Sequence, residues 1–321
     1  MTLQEKSKGI HFDSELDLDS ADAIIFDCDG VLIDVTKSYD LAIDKTTSHI
    51  LKKYYDIESI NISPEIIEGF KATGGFNDEV DLTYAAILSI YAADKLNKNQ
   101  NDFMTDVINH ADSTGIQSVE KYLESLADIS DIKQKLDYPG PHHKNPLYIA
   151  FDQIFYGPIL YHKLFKQPSE FIEPGFIEND IVIVSDKLLT KLEKKFGKKI
   201  AIVTGRGLES IRYSMKNLLD RFDVKSSAFL EDEARELAKP NPEALIRTIE
   251  NLDSSHTIYV GDSMEDLLMA AKATEMGHTT TFCGITGTAS NPSEKLKLFE
   301  SSGSKLVLDS IDQLPKVLNL E

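Results

Sequence analysis

Residues 24–34 read IIFDCDGVLID, an apolar run that ends in two aspartates, Asp27 and Asp29, and then a glycine. The run AIIF (23–26) is one of six of its kind, with IAIV (200–203), SAFL (227–230), TIYV (257–260), TTFC (280–283) and KLVL (305–308). Uninterrupted apolar runs this short suit strands covered on both faces, as in a parallel sheet. Helical patterns lie between them. Leu208, Ile211, Met215 and Leu218 recur at helical spacing, as do Met264, Leu267, Leu268 and Ala271, while Asn241 and Pro242 cap and open a helix through Leu252. The alternation predicts an α/β fold, a Rossmann-like three-layer core with an open parallel sheet and helices on both faces.

The texture changes between about Val35 and Asn179, where helical patterns dominate. Ser63-Pro64 opens one helix, and Val80, Tyr84, Ile87, Leu88 and Tyr91 mark the face of another. The glycines and prolines of YPGPHHKNP (138–146) and QPSEFIEPGF (167–176) mark a loop and a return linker. The aromatic residues of FDQIFYGPILYHKLF (151–165) read as core contacts. The sheet pattern resumes near Ser185, with a helix through Phe196 that ends at Gly197. The expected division is therefore a core of 1–36 and 180–321 with a mainly α-helical domain, 37–179, inserted after the first strand.

With 34 basic against 53 acidic residues, the net charge of −19 argues against general nucleic-acid binding or adhesion to anionic membranes. A small anionic substrate then needs local positive charge or a metal. No segment of signal-peptide character opens the chain and no stretch approaches the ~20 apolar residues of a membrane span, so the expected location is cytoplasmic. Two cysteines, Cys28 and Cys283, fit a reducing compartment and are too few for an all-cysteine zinc site. Cys28 reads as a small half-buried residue turned away from the aspartates beside it, and His142-His143 as a solvated loop pair.

In open α/β sheets, ligands bind beyond the carboxyl ends of the strands. Four stations fall there: Asp27 and Asp29, Thr204 with Gly205 and Arg206, Lys239, and Gly261-Asp262-Ser263 with Asp266 one helical turn on. Any one of the acids taken alone reads as a helix cap. Brought to one sheet edge, the four carboxylates would repel, and a hard divalent cation such as Mg²⁺ with a substrate phosphate would relieve this. Thr204, Lys239 and backbone amides would hold the phosphoryl oxygens. Arg206 reads either as a substrate contact or as the partner of nearby acids.

FDCDGVLID, IVTGR, the lysine of KPNP, and VGDSMED resemble the four motifs of the haloacid-dehalogenase-like superfamily, in order and each in a strand-loop setting. The resemblance covers roughly residues 20–36 and 180–321, and the insertion is similar to the helical cap of the phosphoglycolate-phosphatase-like members. It implies that Asp27 attacks phosphorus to form an aspartyl-phosphate and that Asp29 is the general acid, then the base for water. It further implies that Thr204 and Lys239 anchor the phosphoryl group, and that Mg²⁺ is held by Asp27, the Asp29 carbonyl and Asp262, with Asp266 orienting metal-bound water. Asp29 favours phosphate-ester or phosphoanhydride chemistry over dehalogenation or phosphonate hydrolysis, and the expected substrate is a small phosphorylated metabolite. A phosphomutase of the same superfamily is the alternative, with Lys71 as the candidate grip for a second phosphate; an idle binding or regulatory protein is another. Within FKATGGFNDEVDLTY (70–84), Gly74, Gly75, Phe76 and Asn77 read either as a loop selecting the leaving group or as a plain turn. The surplus from about Asn97 to Lys144 matches no motif and reads as an elaboration, an oligomer contact or a lid.

Overall fold

A computed structural model describes residues 3–76, 78–141 and 144–320. The chain divides into two compact units, Met1–Val35 with Asp180–Glu321 and Thr36–Asn179.

The strands of the first unit are β1 (Gln4–Ser7), β2 (Ile10–Phe12), β3 (Ala23–Phe26), β4 (Ile33–Asp34), β5 (Ile181–Val182), β6 (Ile200–Thr204), β7 (Ala228–Phe229), β8 (Thr257–Gly261), β9 (Thr280–Ile285) and β10 (Leu306–Leu308). Eight of them form one sheet in the order β1-β2-β10-β9-β8-β3-β6-β7, while β4 and β5 pair as a short antiparallel ribbon. From β10 to β7 all neighbours are parallel, with Ile24 beside both Ile200 and Ile258. β3, β6 and β8 are buried along their whole length because both faces are covered. Alternate residues supply two cores: Ile24, Phe26, Ile202 and Val260 pack with Leu188, Leu192 and Ile211, whereas Ile25, Val203 and Tyr259 pack with Leu245, Ile249 and Met269.

The helices of the second unit are α1 (Thr36–Tyr55), α2 (Pro64–Ala72), α3 (Glu79–Lys95), α4 (Gln100–His110), α5 (Ile116–Glu124), α6 (Ser130–Leu136) and α7 (Pro146–Phe165). The first unit adds α8 (Asp186–Phe196), α9 (Leu208–Met215), α10 (Glu243–Asn251), α11 (Met264–Glu275), α12 (Pro292–Ser301) and α13 (Leu314–Val317). Ser185 accepts the Leu188 N–H to start α8, and Gly197, at φ +59°, ends it.

Three local expectations differ from the structure, and one hairpin was not anticipated. SAFL pairs only through Ala228 and Phe229, because β7 is the sheet edge. The Leu268 and Ala271 of the α11 pattern are exposed; the buried face runs through Leu267, Met269, Ala270 and Ala273. The single apolar face expected of α3 is instead burial on all sides from Leu82 to Ala93, since α1, α4, α5 and α7 surround it. The hairpin β1-β2 has no counterpart in the apolar runs: its first strand is polar, and its second joins β10 antiparallel across almost the whole chain. Among the described residues, no helix is long and apolar enough to cross a membrane.

Candidate active site

The turn after β3 is built by its own backbone. The Asp27 N–H donates to the Val260 carbonyl at 2.8 Å, and the Cys28 carbonyl accepts from the N–H groups of Val31, Leu32 and Ile33. Gly30 closes the turn at φ +72°, where a Cβ would stand 2.4 Å from Asp262 Oδ2, so both conformation and space require glycine. Cys28 is fully buried in the core with Phe26 and Leu32, deeper than the half-buried position expected. That leaves Asp27 and Asp29 on the other side of the turn.

Lys239, in the loop before α10, places its Nζ 2.8 Å from Asp27 Oδ1 and 2.7 Å from Asp266 Oδ1. Its side chain is 9% exposed. Asp266 is fully buried and its oxygens also accept from the Tyr259 hydroxyl, the Asp262 and Ser263 N–H groups and the Ser263 hydroxyl. Ser263 in turn accepts the Asp266 N–H, a capping box that starts α11. Five donors on one carboxylate make Asp266 the anchor of Lys239 and of the loop.

Asp29 faces a different cation. Arg206 Nη1 lies 3.1 Å from Asp29 Oδ1 and 2.9 Å from Asp180 Oδ2, while its Nε donates to Ser210 Oγ at 3.0 Å. The guanidinium is 3% exposed and Ser214 donates to the same Asp180 oxygen at 2.6 Å. Of the two readings of Arg206, the structure shows its pairing with nearby acids, the buried Asp180 and the partly exposed Asp29. Arg206→Lys should cost about 2 kcal/mol, because a point cation cannot bridge Asp29, Asp180 and Ser210 together. Chemical denaturation checks this, and a stability equal to the parent would contradict it.

Thr204 ends β6, buried, with its hydroxyl accepting the Arg206 N–H at 3.3 Å; Gly205 is exposed and its carbonyl accepts from Glu231. Asp262 is 2.8 Å from Lys295 Nζ, on α12. The structure therefore brings Asp27, Asp29, Asp262, Asp266, Lys239 and Thr204 to one edge of the sheet. Sequence reading passed over Asp180, Tyr259 and Lys295. Of these only Tyr259 carried a signal, a hydroxyl in the middle of an otherwise apolar buried strand.

Burial raises the Asp27 carboxyl well above its ordinary range; Lys239 opposes this, while Asp266, Asp262 and Asp29 add to it. Asp29 is raised first by burial, with Arg206 opposing and Asp180 adding. Burial would lower Lys239, but Asp266 and Asp27 outweigh it and hold the ammonium charged. Burial would raise Asp266, yet Lys239 and the hydroxyls of Tyr259 and Ser263 hold it below its usual value.

The donor set fits a hard divalent cation. Oxygens of Asp27, Asp262 and Asp266 lie within 4.8 Å of one another, and there is no nitrogen or sulfur donor in that group. Three cations, Lys239, Arg206 and Lys295, each pair with carboxyl groups of this cluster.

The residues proposed around positions 71–77 belong to the helical unit. Phe76 is fully buried edge-on to Phe70, so its ring serves that unit's core and is not offered to a ligand. Gly75 packs on the backbone at Gly115, where a Cβ would meet N at 2.5 Å, which gives that glycine a packing reason of its own. Lys71 lies 3.4 Å from Glu79. Asn77, His142 and His143 lie outside the described residues.

Residues 177–274 match the family model of haloacid dehalogenase-like hydrolases. Among solved structures, the phosphatase Tt82 from Thermococcus thioreducens is 22% identical, with a TM-score of 0.54 over 88% of this chain and 99% of its own, a likeness of fold. A HAD family hydrolase from Deinococcus radiodurans R1, solved with bound phosphate and sodium, is 12% identical, with a TM-score of 0.49 over 94% of this chain and 97% of its own. No curated protein matches in the corresponding comparison.

Proposed function

We propose that this chain, whose residues 177–274 match the haloacid dehalogenase-like hydrolase model, is a Mg²⁺-dependent phosphatase of a small phosphorylated metabolite, working through an aspartyl-phosphate. The observation that carries this reading is the pair Asp27 and Asp29 on one turn with different partners, Lys239 for the first and Arg206 for the second. Two carboxyls in different surroundings can take different roles.

Asp27 attacks phosphorus; the bond from phosphorus to the ester oxygen breaks, and Asp29, its carboxyl raised by burial, gives that oxygen its proton. Water then attacks phosphorus, Asp29 takes its proton, and the bond to Asp27 breaks, releasing inorganic phosphate and restoring both acids. Lys239 and Thr204 hold the phosphoryl oxygens, with Gly205 lending its exposed backbone beside them. Asp27, the Asp29 carbonyl and Asp262 would hold Mg²⁺, which when bound would offset the burial and neighbouring carboxylates that raise the Asp27 carboxyl and draw off charge from the phosphoryl group. Asp266 supports the site through Lys239. The helical unit, 37–179, is in this reading a cap that selects the leaving group. We place the enzyme in the cytoplasm, in keeping with two cysteines that are both free and buried.

The test is phosphate release from a panel of phosphorylated metabolites, with Mg²⁺ and with a chelator. Release that needs Mg²⁺ is expected from at least one member; no release from any would contradict the reading. Mg²⁺ at about 100 times its Kd should also add about 2.7 kcal/mol of stability, since it binds only the folded site. A melting temperature indifferent to Mg²⁺ would remove the metal from the account.

A further inference from the structure

The α12 region touches the site at two points that the phosphatase chemistry leaves unused. The Thr288 hydroxyl donates to the Gly30 carbonyl at 2.9 Å, fixing the first turn. Lys295 donates to Asp262 Oδ2 at 2.8 Å, from an ammonium-bearing side chain that is 19% exposed, and no other cation pairs with Asp262 among the described residues. That same oxygen lies close enough to Gly30 to exclude any Cβ there. One oxygen of Asp262 thus lies close to both a glycine and a lysine, on the carboxylate that the proposed cation would share.

We infer that Lys295 is the resident counter-ion of Asp262: it positions the carboxylate in the metal-free protein and competes with the divalent cation for its charge, lowering the affinity of the site. The inference rests on the metal reading above. Three facts carry it. The contact is direct and specific, since Lys295 reaches across from another helix to one oxygen. Without Lys295, Asp262 is left with no cation of its own among the described residues. Lys239 cannot take over, because it already bridges two other carboxylates. A like charge beside a cation site weakens binding, and partial exposure screens but does not abolish that effect. Lys295 is a positioning residue acting through Asp262; it transfers no proton in the reaction.

The test is calorimetric titration of Mg²⁺ into metal-free protein, with thermal melts, for the parent, Lys295→Met and Lys295→Arg. Lys295→Met should bind Mg²⁺ about tenfold more tightly, as expected for removing a neighbouring like charge. Without metal it should melt below the parent, and saturating Mg²⁺ should close that gap. Lys295→Arg, which keeps the charge, should stay near the parent affinity. A residue that only packed would change the melt without tightening the metal. Unchanged or weaker binding by a folded Lys295→Met, when the parent binds Mg²⁺, overturns this inference and leaves the metal reading standing. If neither protein takes up Mg²⁺, the metal reading falls, and metal-free melts in an Asp262→Asn background decide the pairing. There Lys295→Met should cost nothing further; a full cost would show that Lys295 acts elsewhere.

Discussion

Asp27→Asn should fold normally and release phosphate at least about 10³-fold more slowly than the parent. Every other contact of the site survives the change, but the amide is no nucleophile, so the covalent route is closed and only positioning remains. The effect on the fold should be opposite in sign to the effect on activity. Asp27 is buried among Asp29, Asp262 and Asp266, which together push its carboxyl up against the pull of Lys239, so removing its charge relieves repulsion. In the metal-free protein the melting temperature should hold or rise, while the rise produced by Mg²⁺ should shrink because a ligand is lost. A clear fall in the metal-free melting temperature would mean that the Lys239 contact outweighs the repulsion.

Lys239→Met should lose both stability and activity, and here the two losses share a cause. The ammonium bridges Asp27 and Asp266, and both carboxylates are almost wholly buried. Removing one member of such a group strands charge in a medium that solvates it poorly, at a cost of about 3–5 kcal/mol. Asp266 retains the Tyr259 and Ser263 hydroxyls and two N–H groups, so most of the penalty falls on Asp27. Turnover should drop by about 10²-fold or more, since a preorganised cation that meets phosphoryl charge is lost. Denaturant titration under chelator and steady-state phosphate release measure the two effects separately. A variant as stable as the parent would mean that the bridge adds little beyond packing.

What was legible in the sequence follows from what each element has to bury. AIIF, IAIV and TIYV are central strands with both faces covered, and uninterrupted apolar runs are the direct imprint of that position. The edge is less legible: SAFL pairs over two residues, because nothing lies beyond β7 to prolong the ladder. The β1-β2 hairpin left no apolar signature, since QEKS is mostly exposed and its partner strand contains a histidine. Helix α3 was misread as one-sided because its buried alanines, serine and threonine carry little hydrophobic signal although they are fully enclosed.

For the site, strand-end positions identified the acidic and basic side chains from local pattern alone. Their partners were another matter. Asp180, Tyr259 and Lys295 act through contacts 26, 7 and 33 residues away along the chain, and only the fold brings such pairs together. Arg206 shows the same limit from the other side. Its neighbour Thr204 marked it as near the site, but whether it meets substrate or a buried acid depended on Asp180, which no motif includes. Phe76 was proposed from the flexibility of the glycines before it, whereas its ring is fixed by Phe70.

The central claim is that a phosphoryl group passes through Asp27. It is tested most directly by mixing the protein with Mg²⁺ and a substrate from the panel, quenching in acid at steady state, reducing with borohydride and weighing the peptides. Borohydride reduces an aspartyl-phosphate to homoserine, so the account predicts homoserine at position 27 only when substrate is present. Phosphate release with an unaltered Asp27, or with the modification on another residue, would contradict it.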